Sequence, residues 1–132
     1  MQKITAPPNL VLSVLSGTFT IHKLSPDASI PEEILKSNYY SVSKTENELS
    51  LVCSEVFEVQ SLQSSKGWEC IKVAGPLDFN LTGILAGISD ILAKENISIF
   101  AISTFDTDYI LVRTLDLSSA TTKLRLAGYK FE

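Results

Sequence analysis

Between residues 68 and 113 the apolar positions change their period twice. Residues 68–74 read as a strand, with Trp68, Cys70, Ile71 and Val73 apolar and Gly75-Pro76 breaking the run. Over residues 81–95, Ile84, Leu85, Ile88, Ile91 and Leu92 recur at the spacing of one helical face; Asn80 is placed to cap the start, and Lys94-Glu95-Asn96 ends it in polar residues. Residues 97–104 and 109–113 return to β-branched and aromatic runs, which predicts strand, helix, strand, turn, strand. A second helix is expected at about 118–127, with Leu117, Leu124 and Leu126 as its apolar contacts and Ser118 or Ser119 as its cap. Gly128 stops it, and residues 129–131 form a closing edge strand. The order βαββαβ is ferredoxin-like, with two helices covering one face of an antiparallel sheet.

The first half reads as a shorter echo of the same plan. Residues 10–15 and 18–24 flank Ser16-Gly17 as a hairpin, and Pro31 opens a helix that carries Glu32 to Lys36. Residues 39–43 and 49–53 form another strand pair across a polar turn at 44–48. The serine-rich stretch 60–67 is the natural joint, although it is also able to join a strand pair. The expected architecture is therefore α+β: two tandem ferredoxin-like units, 1–62 and 63–132, packed together because neither half buries much surface alone.

Composition narrows the function. A chain of 132 residues that is 45% hydrophobic can build a core without staples. Its net charge is -4 and its 11 basic residues are dispersed, so there is no stripe to neutralise phosphates, and nucleic acid is not an expected partner. The longest apolar runs, near 10–15 and 109–112, fall far short of the roughly 20 residues a bilayer requires, and the start lacks a signal peptide's pattern. No membrane association is expected. Cys53 and Cys70 do not make a disulfide framework and are read as reduced thiols in a cytoplasmic protein.

Two segments carry candidate chemistry. The first is the loop and helix start "GPLDFNLTG" at 75–83, where first-turn amides attract a carboxylate or phosphate and Gly83 permits close approach. It is not a P-loop: no lysine followed by Ser or Thr comes after the glycine, and there is no GxGxxG. The second is the polar hexad 103–108 between two apolar strands, which βαββ order brings beside the helix start. A carboxylate on the amides of Gly83 and Ile84, an ammonium near Asp106 or Asp108, and Phe105 against the apolar part would together suit an α-amino acid. The residues alone leave a plainer reading open, in which the glycines make a turn and the aspartates are solvated.

The stretch "GPLDFNLTGILAGISDILAKENISIFAISTFDTDYILV" resembles an ACT domain, the small regulatory module of aspartate kinases and other amino-acid enzymes. With Gly67-Trp68 and "NELSLVCSE" it is similar to a stand-alone bacterial family of two ACT-like units, related to the CASTOR-type arginine sensors of animals. The resemblance implies a non-catalytic effector-binding protein with ACT units paired side by side, in one chain or across a homodimer, its ligand, an amino acid, in the cleft between units, and a regulated protein partner. Carried over by position, the ligand-binding residues are Asn80, Thr82, Gly83, Ile84, Thr104, Phe105 and Asp108, with Asp108 as the anionic anchor. No cofactor or metal is implied.

Other chemistry has less behind it. His22 lies on an alternating strand, where an outward or satisfied imidazole is the expectation, and neither it nor Cys70 has an adjacent partner in sequence to activate it. Asp106 and Asp108 offer too few oxygens for a metal. The alternative to a sensor is an interaction or dimerisation module without a ligand, using Trp68, Tyr39, Tyr40 or Phe131 as anchors.

Overall fold

The computed structural model describes residues 10–78 and 82–132. In chain order the elements are β1 (Val11–Val14), β2 (Phe19–Leu24), α1 (Glu32–Leu35), β3 (Ser41–Lys44), β4 (Leu49–Ser54), β5 (Gln63–Val73), α2 (Ile84–Lys94), β6 (Ile99–Ser103), β7 (Asp108–Arg113), α3 (Leu117–Leu126) and β8 (Lys130–Phe131). This mixed α+β chain divides into two compact units, one of residues 17–68 and the other of residues 10–16 with 69–132. The division differs from the expected 1–62 and 63–132. Its cause is β1, which pairs antiparallel with β5 (Leu12 opposite Val73) and parallel with β8 (Leu12 opposite Phe131), whereas β2 pairs with β4 and β5. The hairpin expected of residues 10–24 is thus replaced by two strands in different units. Alternation specifies which face of a strand is buried, and says nothing about which strand lies beside it.

The discontinuous unit has strand order β6-β7-β5-β1-β8. One apolar cluster joins Leu12, Ile71, Val73, Ile110 and Val112 from the strands to Ile84, Ile88 and Leu92 of α2 and Ala120 and Leu124 of α3. Ile88, Leu92 and Leu124 are wholly buried, each contributing about 1.5–3 kcal/mol. Both helices end alike. Asn96 (φ 56°) and Gly128 (φ 105°) take the left-handed conformation, after which Ile97 N–H donates to Leu92 O and Tyr129 N–H to Leu124 O. These are Schellman ends, and each seats an apolar residue, Ile97 or Tyr129, in the core cluster.

Helix details depart from expectation in three places. The N-cap of α2 is Gly83 (φ 80°), and the expected cap Asn80 lies outside the described residues. Helix α3 starts at Leu117 after a 3-10 turn at Thr114–Asp116, with Asp116 in the cap position and no side-chain cap bond, so neither Ser118 nor Ser119 caps it. Leu126 is 77% exposed. It lies two residues, about 200°, around the helix from buried Leu124, and Ala120 fills the inner face instead.

The continuous unit has strand order β3-β4-β2-β5, with β4 antiparallel to both β2 and β3. Its core cluster comprises Leu24, Ile34, Leu49, Leu51 and Cys53, with Phe57 and Val59 packed against it. Helix α1 has a single turn, and the connection at 55–62 between β4 and β5 is irregular. The serine-rich joint is mostly strand: Gln63, Ser64 and Ser65 pair with Lys23, His22 and Ile21. The register shifts between Phe19 and Ile21, and Gly67 (φ 80°) accommodates the extra residue as a glycine bulge. Trp68, proposed above as an interface anchor, is 6% exposed and donates Nε1–H to Ser65 Oγ at 3.0 Å. Tyr39 meets Phe19 edge to face at 5.6 Å, and Phe131 is half-buried beneath the Arg125 guanidinium at 4.8 Å.

Candidate functional site

The polar hexad is a tight four-residue turn set between two strand ends. Ser103 and Asp108 face each other across β6 and β7, and Ser103 Oγ–H donates to Asp108 Oδ1. Within the turn, Thr104 N–H donates to Thr107 O at 2.8 Å and Thr107 N–H to Thr104 Oγ1 at 3.3 Å. Thr107 is 5% exposed and its hydroxyl donates to Val73 O at 2.7 Å. Much of the hexad's polarity therefore goes into its own hydrogen bonds, a role the sequence reading did not give to Thr107. No pattern marks one of the hexad's two threonines as the buried one.

The loop 74–78 is pressed against this turn. Leu77 N–H donates to Asp106 O at 2.7 Å, and the Gly75-Pro76 peptide bond is cis. A Cβ on Gly75 would stand 3.0 Å from both Asp106 O and Thr107 Cβ, so the approach requires glycine. At Gly83 the requirement is conformational only, because its φ is 80° and a Cβ there would meet open space.

Helix start, loop and turn enclose a cleft of about 360 Å³ lined by Leu77, Asp78, residues 83–86 and residues 103–108. Of the seven candidate residues it brings together Gly83, Ile84, Thr104, Phe105 and Asp108. Thr82 is exposed and is not among the lining residues, and Asn80 is not described. Asp78, Leu77, Leu85 and Ala86 line the cleft without having been singled out.

The cleft has a polarity. Gly83 offers no side-chain cap, so first-turn amides of α2 face outward from the helix's positive end. Opposite charge comes from Asp78, Asp106 and Asp108, and the lining contains neither lysine nor arginine. Phe105, 79% exposed, supplies an apolar wall. A carboxylate suits the amides and an ammonium suits the aspartates.

His22 differs from its expectation. It is 5% exposed, its Nδ1 lies 3.2 Å from Ser61 Oγ, and its Nε2 has no hydrogen-bond partner among the described residues. Burial, and then the Lys66 ammonium, push its pKa below the ordinary value. Burial pushes Cys70 up to about 12 and raises Cys53 also, so neither thiol is activated. Among the described residues no cluster of three or more His, Cys, Asp or Glu is placed to hold a metal, and no helix is long and apolar enough to cross a membrane.

A strand-helix-strand-turn-strand unit with a polar cleft where the helix start meets the turn is the arrangement of ACT domains, which generally bind small-molecule ligands as regulators. Residues 63–125 match the model of the ACT domain family, so this part of the chain is an ACT domain, and a second model, described as an N-terminal domain, matches residues 17–57. Protein Atu0741 from Agobacterium tumefaciens is 35% identical with a TM-score of 0.85, over 96% of this chain and 94% of that one. VC0802 from Vibrio cholerae shares the fold at 16% identity and TM-score 0.65, over 86% and 85%. Aspartate kinase from Clostridium acetobutylicum, an allosteric enzyme, shares it at 15% identity and TM-score 0.64; 85% of this chain covers 33% of the kinase. No curated protein matches the chain significantly.

Proposed function

We propose that the protein is a non-catalytic, cytoplasmic regulator that binds an α-amino acid in the cleft between the start of α2 and the 104–107 turn. The observation that carries this reading is the facing of first-turn amides by Asp78, Asp106 and Asp108 across one cleft. The amides of Ile84 and Leu85 take the ligand's carboxylate, Asp108 takes its ammonium, and Phe105 covers its side chain. Thr104, spent on the turn, positions rather than binds. Thr82, and Asn80 by its place in the sequence, complete the set of residues proposed for the site.

The continuous unit is read as a second ACT-like unit, on the strength of its β2-α1-β3-β4 order followed by β5 and the match at 17–57. In this reading a homodimer of such chains passes ligand occupancy to a regulated partner protein. Thermal unfolding against each of the twenty amino acids tests the reading. A ligand at about a hundred times its Kd contributes about 2.7 kcal/mol, a shift of several degrees for a domain of this size. A shift with one or two amino acids, abolished by Asp108→Lys, supports the sensor; no shift with any of the twenty overturns it.

A further inference from the structure

The continuous unit contains a polar cavity remote in sequence from the cleft. Its floor is the strand pair β2 and β5, which contributes Thr20, His22, Ser64 and Lys66, and its cover is the segment 55–60. The cover has neither helix nor strand; Phe57 and Val59 hold it to the core, while Val56 is 78% exposed. Its volume is about 760 Å³, ample for a small metabolite.

Two features separate it from a packing defect. The His22 side chain is buried with one ring nitrogen engaged by Ser61 and the other without a partner among the described residues. Leaving a buried polar group unmatched is costly, and such groups are otherwise hydrogen-bonded. The charges are also sorted by element: the ammonium of Lys66 is on the strand floor, and the carboxylates of Glu55 and Glu58 are on the cover. Among the described residues none of these three enters an ion pair.

We propose that this cavity is a second small-molecule site, taking a zwitterion of the amino-acid class with its carboxylate between His22 and Lys66 and its ammonium towards Glu55 and Glu58. The hydroxyls of Thr20 and Ser64 complete the carboxylate's surroundings. Held neutral by burial, His22 acts as a directional hydrogen-bond partner, and Lys66 supplies the charge. Because the cover has no regular structure of its own, the guest bridges floor and cover and fixes residues 55–60 over the sheet.

His22 is the chain's only histidine, so its imidazole nitrogens give an unambiguous NMR signal in the intact protein. Each of the twenty amino acids is titrated singly to about 20 mM, enough to fill a site with a Kd of about 1 mM. The proposal expects a saturable His22 shift with at least one of them, kept in Asp108→Lys and weakened about tenfold or more in Lys66→Ala. Lys66 is exposed, so that variant keeps its fold. A shift lost in Asp108→Lys would come from the cleft and overturn the second site, as would a shift unchanged by Lys66→Ala or no saturable shift at all. Failure of the cleft reading registers separately, as unmoved amides at 84–86 and 104–108.

Discussion

Ser103 and Asp108 close the mouth of the β6–β7 turn by a side-chain hydrogen bond, Ser103 Oγ–H to Asp108 Oδ1. One carboxylate oxygen of Asp108 is thereby held, and its orientation towards the cleft is set before any ligand arrives. Asp108→Asn should weaken amino-acid binding by about 10- to 150-fold, the worth of a hydrogen bond to a charged group at about 1.5–3 kcal/mol. Ser103→Ala keeps the charge and loses only the orientation, so its loss should be smaller. Isothermal titration of both variants checks the order; equal losses would show that Asp108 needs no positioning.

Gly75 limits the turn from behind. In Gly75→Ala the new methyl meets Asp106 O and Thr107 Cβ at 3.0 Å, and backbone on one side cannot yield cheaply. Overpacking of this kind costs about 1–3 kcal/mol. Calorimetry should show a lower Tm, and the variant should also bind ligand more weakly because the displaced turn is the cleft wall.

The Thr107 hydroxyl is a structural bond to the backbone. Thr107→Val leaves Val73 O without that donor in a buried site, at about 1–3 kcal/mol. Thr107→Ser keeps the donor and should recover most of the stability. Urea unfolding distinguishes them, and identical midpoints for valine and serine would remove the bond's importance.

Stability should fall in mild acid through His22. Its folded pKa lies below the unfolded value of about 6.5, so the unfolded chain binds the proton first. The contribution is complete above pH 6.5 and is lost as pH drops from there towards the folded pKa. His22→Gln should flatten that limb of the Tm profile between pH 7 and 5. An unchanged slope would place the titration elsewhere.

Both cysteines should resist thiol reagents in the native protein at pH 8. Cys70, with its pKa at about 12, and Cys53, raised in the same direction, present almost no thiolate and are buried. Ellman's reagent should report no reactive thiol until denaturant is added, then two.

The local parts of the fold were readable because local periodicity determines them. The apolar face of α2, the polar interruption between β6 and β7, and the glycine stop after α3 each follow from a few neighbouring residues. What escaped depends on distant partners. The placement of Leu12 opposite both Val73 and Phe131 leaves no mark on the pattern of residues 10–15. The same holds for Thr107, whose bond to Val73 spans 34 residues, and for His22, whose alternation fits an exposed and a buried side chain equally. At the cleft, Gly83, Phe105 and Asp108 were visible as unusual residue types at a turn and helix start, whereas Asp78 and the Gly75 contact needed the loop's path.

The placement of β1 also orders events during synthesis. Residues 17–68 hold all the strands of their unit in one continuous stretch, and their contacts are available once that stretch has left the ribosome. The other unit needs β8, its Lys130–Phe131 strand, to lie alongside β1. The edge of β1 that β8 covers therefore stays open until β8 has been made. Domains fold in the order their residues emerge, and here β1, made before the 17–68 unit, meets its last partner after that unit.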